Sequence, residues 1–268
     1  MSRIAVVSAA LLVFACASAG AQTPAGELLW VHGGPYRLKT GLYRAAKLGP
    51  TPVLVVVLHG DAPNNQPDYQ DTFAARVAAA NADVIAAALL RPGYTDPQGH
   101  TSEGERGQTT GDNWNARNVD AIAAAIDSLR LRFKARRVVA VGHSGGAAIT
   151  ANILGRHPDL LDAALLVSCP CDVTRWREHM LEKTGFAGFQ GAIVTVSPID
   201  LVNAIGEGTR IDMIVGAQDD VAPPTLSQEY RAAATHLGKR VHLTELPGKG
   251  HEILLDPAVL PAVTPLLH

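Results

Sequence analysis

From residue 28 onward the chain alternates short β-branched runs with Ala-rich stretches whose apolar positions recur at helical spacing. Val53–Leu58 is a continuous apolar run, the pattern of a parallel strand buried on both faces. Shorter runs at 84–89, 138–141, 163–167, 211–215 and 241–246 read as further strands. Between them the spacing predicts helices over 69–81, 115–132, 145–156 and 225–237, and another after Asp256. In 115–132, Val119, Ile122, Ala123, Ile126 and Leu129 share one face. Residues 28–31 and 38–45 are the opening strands, joined across Gly33-Gly34-Pro35. Strands alternating with helices predict one α/β domain, a mostly parallel sheet of about eight strands covered by helices on both faces. No internal repeat or low-complexity linker marks a second unit.

The first 21 residues follow a different pattern. Arg3 precedes Ile4 to Ala17, in which only Ser8 is polar, and Ala19-Gly20-Ala21 forms a small-x-small site before Gln22. This predicts a secretory signal peptide over 1–21 and a mature domain over 22–268. The apolar run is shorter than the roughly 20 residues of a spanning helix, so the expectation is export, periplasmic or secreted, without stable membrane insertion. An uncleaved anchor and a lipoprotein attached through Cys16 are the competing readings; bulky Phe14 argues against the second.

Composition narrows the class. With 23 Lys+Arg against 25 Asp+Glu, the net charge of -2 leaves no basic footprint for nucleic acid. Hydrophobic residues at 47% against 18% charged exclude a disordered chain.

The chemistry centres on Gly142-His143-Ser144-Gly145-Gly146, a G-x-S-x-G between a predicted strand and a predicted helix. A turn this tight tolerates only small neighbours and lifts the Ser144 hydroxyl out of the sheet. The N–H of Gly145, at the helix start, is placed to hold an oxyanion. Serine needs a base, and the base needs an acid to hold its tautomer. Gly216-Ala217-Gln218-Asp219 and Gly250-His251-Glu252 each follow a predicted strand, where open α/β sheets build their sites. Asp220 rivals Asp219 as the acid; the Gly-x-x-Asp spacing favours Asp219.

At these positions the chain resembles the α/β-hydrolase superfamily, and within it the catalytic domains of prolyl-oligopeptidase-type peptidases and related esterases. The resemblance runs from about Val53 to the C-terminus, through His59-Gly60, the Ser144 motif, Ser197-Pro198-Ile199-Asp200, Gly216-Ala217-Gln218-Asp219 with Pro223, and Pro247-Gly248-Lys249-Gly250-His251. It implies Ser144 as nucleophile, Asp219 as acid and His251 as base. It also places the second oxyanion donor in the loop after Val53–Leu58, as the backbone N–H of Asp61 or Ala62, with the Asp61 carboxylate turned away towards a Lys or Arg. His59 is expected to be structural.

The Gly-rich stretch between Leu90 and Trp114 supplies candidate pocket residues Tyr94, Asn113 and Trp114. His100, Glu103 and Glu105 fit no defined metal spacing, so neither metal nor cofactor is expected. Cys169-Pro170-Cys171 is either a small disulfide or a pair of free thiols. The expected function is an exported serine esterase acting on a small or polymer-borne ester, because no large accessory domain is evident to hold a peptide. A peptidase or acyltransferase with the same residues is the alternative, and a non-catalytic binding protein the alternative from another class.

Overall fold

The structure, a computed structural model, describes residues 26–62 and 66–268. The expected signal peptide lies outside the described residues. Eight strands form one sheet in the order β1-β2-β4-β3-β5-β6-β7-β8. β1 (Glu27–Gly33) and β2 (Tyr36–Arg44) form a hairpin about Gly34, whose φ of 57° suits glycine, and β2 pairs antiparallel with β4 (Val84–Leu89). β3 (Val53–Leu58), β5 (Arg137–His143), β6 (Ala163–Val167), β7 (Arg210–Gly216) and β8 (Arg240–Leu246) continue in parallel. The hairpin therefore occupies one edge, and the parallel strands aim their carboxyl ends at one rim of the sheet.

The side-chain period of two sorts each central strand between two cores. Leu54, Val56 and Leu58 of β3 pack with α2 (Ala116–Phe133) and α3 (Gly145–Arg156). Val53, Val55 and Val57 pack with α1 (Tyr69–Ala80) and the chain end around Val263 and Leu266. All six β3 residues are buried, which is why the run carries no polar alternation.

α5 (Pro224–His236) lies near its predicted span, whereas α4 (Val173–Thr184) has no counterpart in the periodicity. Only Val173, Trp176 and Arg177 of α4 are buried, too few for an apolar stripe. Its ends were written in the chain: the Asp172 carboxylate accepts the Arg175 N–H at 3.1 Å, and Gly185 closes the helix at φ 64°. After Asp256 the chain forms only the one-turn helix α6 (Leu260–Val263) and a 3-10 turn. No helix among the described residues is long and apolar enough to cross a membrane.

Candidate active site

β5 runs two residues beyond its apolar stretch and ends at His143; Ser144 then turns at φ 53°, ψ -122°, and α3 begins at Gly145. A side chain at Gly142 would come within 2.3 Å of the Gly146 carbonyl oxygen, and one at Gly146 within 2.4 Å of the His59 carbonyl oxygen. Strand, elbow and β3 thus meet backbone to backbone, and glycine at both positions is a steric requirement. The Ser144 N–H donates to Val167 O at 2.8 Å, which ties the strained residue to β6.

The loops after β7 and β8 bring two more groups to Ser144. His251 Nε2 lies 2.8 Å from Ser144 Oγ, and His251 Nδ1 lies 2.9 Å from Asp219 Oδ2 and 3.0 Å from Oδ1. Asp219 is 3% exposed and also accepts the N–H groups of Val221 and Ala222 at 3.0 and 2.8 Å. Burial pushes its carboxyl pKa up, but the hydrogen bond and charge of His251 with the two N–H donors outweigh that and hold it below the usual carboxylate value. Asp220 faces outward, its side chain 74% exposed and paired with Lys183 at 2.8 Å. The two loops are locked together: Gln218 N–H donates to Lys249 O at 2.8 Å, and Gly216 leaves no room for a Cβ beside Gly250 O.

The backbone N–H groups of Gly145, Asp61 and Ala62 have no acceptor among the described residues. The Asp61 carboxylate does pair with an arginine, Arg91, at 2.8 Å, yet it does not leave the site. Its Oδ1 also accepts Trp114 Nε1 at 3.2 Å and Tyr94 Oη at 3.4 Å, and a Cβ on Gly145 would stand 2.5 Å from it. The compensating charge explains this placement. Arg91 is fully buried; besides Asp61, its guanidinium donates from Nη2 to Asn113 Oδ1 at 2.6 Å and from Nη1 to His59 O at 3.2 Å, while Nε–H has no partner among the described residues. Its backbone N–H donates to His59 Nε2 at 3.0 Å, while His59 Nδ1 donates to Gly60 O. His59 is therefore a buried strut held neutral, its pKa lowered first by burial and then by the Arg91 charge. Nothing in the spacing of Arg91 announced this hub, which exists only once β3, β4 and the 90–114 segment meet.

Ser144 opens on a cleft of about 550 Å³ lined by Asp61, Ala62, Gln66, Tyr69, His143 and Glu252. Asp61 is shared with a second cavity of about 310 Å³ walled by Tyr94, Arg106, Thr109, Asn113 and Phe186. Tyr94 and Asn113 thus reach a pocket wall. Trp114, expected there too, is instead 1% exposed and packs on Trp176 at 4.9 Å between ring centroids; only its indole N–H reaches towards the site, to Asp61. His100 and Glu103 turn to separate partners, Asp96 and Arg37. Cys169 and Cys171 are joined as a disulfide, both fully buried.

Among curated proteins none matches the chain by sequence. Among solved structures, the Pyrococcus furiosus esterase Pf2001 is similar at a TM-score of 0.65 and 13% identity, over 90% of this chain and 89% of its own. Est1E from Butyrivibrio proteoclasticus, in a structure with ferulic acid bound, is similar at 0.66 and 14%, over 89% and 96%. Pyrococcus horikoshii acylaminoacyl peptidase is similar at 0.65 and 14%, over 86% of this chain and 38% of its own. These likenesses show the fold. The model of the prolyl oligopeptidase family matches residues 64–259, most of the chain. By that match the chain belongs to the prolyl oligopeptidase family, and it is a serine hydrolase on the α/β-hydrolase fold.

Proposed function

We propose that the protein is an exported esterase in which Ser144, His251 and Asp219 act as a catalytic triad through an acyl-enzyme. The observation that carries this reading is the continuous line of hydrogen bonds Asp219–His251–Ser144, at 2.9 and 2.8 Å. His251 accepts the Ser144 proton on Nε2 as Oγ attacks the ester carbonyl. Asp219 holds Nδ1–H and stabilises the imidazolium. The developing oxyanion is received by the N–H of Gly145 with that of Asp61 or Ala62, groups left without acceptors. His251 then protonates the departing alcohol, and water repeats the sequence to release the acid.

The ester reading is supported by a structural neighbour called an esterase and matched over 89% of its own length, although a compact fold does not separate the two activities, since a proline iminopeptidase is matched over 98% of its own. The cavity beyond Asp61, with Tyr94 and Phe186 on its wall, suits a small or polymer-borne acyl group. The family match and the acylaminoacyl peptidase neighbour support peptidase activity as the second reading. Initial rates on nitrophenyl esters of graded acyl length, beside aminoacyl and prolyl nitroanilides and with Ser144→Ala as control, decide between them. Ester turnover lost in the variant supports the esterase; amide turnover alone overturns it in favour of the peptidase. Export rests on the pattern of residues 1–21, and the intact mass of protein recovered from the periplasm or medium tests it.

A further inference from the structure

His143 fills the variable position between Gly142 and Ser144, and its side chain does not reach the reacting atoms. By the period of two along β5 it shares the face of Val139 and Val141, beneath α1. There it is 1% exposed and polar at both ring nitrogens. Nε2 lies 3.1 Å from the carbonyl oxygen of His251. A carbonyl only accepts, so Nε2 carries the hydrogen and Nδ1 is left as an acceptor. Tyr69 Oη, 3.0 Å from Nδ1, donates to it and itself receives the Gly60 N–H. Burial and the neighbouring His251 charge lower the His143 pKa to about 4, so the ring stays neutral and this hydrogen-bond polarity persists near neutral pH.

The His251 carbonyl has a second side-chain donor. Ser168, at φ 51° just past β6, donates its Oγ to the same oxygen at 3.0 Å. The base stands in a loop without regular structure between β8 and the chain end, so β-ladder pairing does not hold its backbone. Two buried side chains on β5 and just past β6 anchor it to the sheet, beside the local Ile253 N–H, which donates to the same oxygen at 2.9 Å. The same line reaches back through Tyr69 to Gly60, where a Cβ would stand only 2.9 Å from Ser144 Cβ, next to the expected oxyanion donors.

We infer that His143, oriented by Tyr69 and assisted by Ser168, is a positioning residue that clamps the His251 backbone and so sets the base at hydrogen-bond distance from Ser144. This deepens the proposed function and rests on Ser144–His251 chemistry. A base displaced by about 1 Å costs on the order of 100-fold in rate. Two conservative variants separate the clamp from simple packing. In His143→Gln the amide nitrogen occupies the place of Nε2 and can still donate to His251 O. In His143→Asn the amide sits where Nδ1 was, keeps contact with Tyr69 and falls short of the carbonyl.

The expected result is a kcat for His143→Gln within about 5-fold of the wild type, and for His143→Asn a kcat lower by about 10- to 100-fold with KM little changed. Thermal midpoints of the two variants should be alike. Ser168→Ala, which removes the other donor and leaves the β5 core untouched, should also lower kcat at constant KM, and it serves where position 143 tolerates no change. Equal kcat for Gln and Asn, losses that follow the thermal midpoint, or a loss confined to KM overturns the inference. Full activity in Ser144→Ala would overturn the proposed function itself, whatever the variants at 143 do.

Discussion

Lowering the pH from 6.5 towards 4 should destabilise the protein through His143. The ring is buried and its pKa falls from 6.5 in the unfolded chain to about 4 in the folded one. Between those values the unfolded chain binds a proton that the folded chain refuses, so the folded state loses ground as pH falls. Each unit costs about 1.4 kcal/mol, and the full window costs about 3.4 kcal/mol at most. Against a typical domain stability of roughly 5–15 kcal/mol this is a large share. His59, lowered for the same reason, adds in the same direction. Asp71, whose carboxyl is raised by burial, works against them by binding its proton earlier in the folded state. Asp219, held below the usual carboxylate value, loses its contribution only at lower pH still. Urea unfolding at pH 7.5, 6.5, 5.5 and 4.5 measures the slope for the wild type and for His143→Gln. The variant should show a slope shallower by about 1.4 kcal/mol per pH unit below 6.5. Parallel slopes would mean that His143 is not held neutral by burial, and would refute the reasoning.

Further expectations follow from the same geometry. Arg91→Met leaves the Asp61 carboxylate beside Gly145 without its cation and should destabilise the fold by about 3–5 kcal/mol in urea unfolding; Asp61→Asn in the same chain should recover part of that loss. Asp219→Asn should leave the thermal midpoint near that of the wild type and lower kcat by about 10⁴-fold, because the amide favours the wrong His251 tautomer. Replacing Cys169 and Cys171 together by Ala opens a very short loop without burying a polar group, so thermal unfolding should show a loop-closure loss of about 1.5 kcal/mol with ester or amide turnover retained.

The sheet could be read from the chain because central parallel strands, buried on both faces, must be apolar at every position, as Val53–Leu58 is. Ser144 was evident because its turn imposes glycine at 142 and 146 through backbone contacts that no larger residue permits. Asp219 and His251, which the structure brings together with Ser144, stood out by their places after β7 and β8. Other features depend on contacts between distant segments and leave no local period. The Arg91 hub joins residues 59, 61, 91 and 113; His59, Asp61 and Asn113 each stood out separately in the sequence, but nothing local showed that Arg91 ties them together. Trp114, an expected pocket wall, is buried against Trp176 from a distant helix, a contact no local spacing reveals. α4 carried its cap residues but too few apolar ones for periodicity to register. His143 stood inside the recognised motif at the one position the motif leaves free, and its role emerges only when the His251 loop arrives above it.

The most direct measurement is covalent labelling by a fluorophosphonate, followed by intact mass and peptide mapping, on the wild type, Ser144→Ala and His251→Ala. Nucleophilic catalysis by Ser144 requires one adduct per wild-type chain on the peptide containing Ser144. It also requires none on Ser144→Ala, and labelling of His251→Ala slowed by several orders of magnitude, since the hydroxyl then lacks its base. An adduct on another residue, or a labelling rate indifferent to His251, would contradict it.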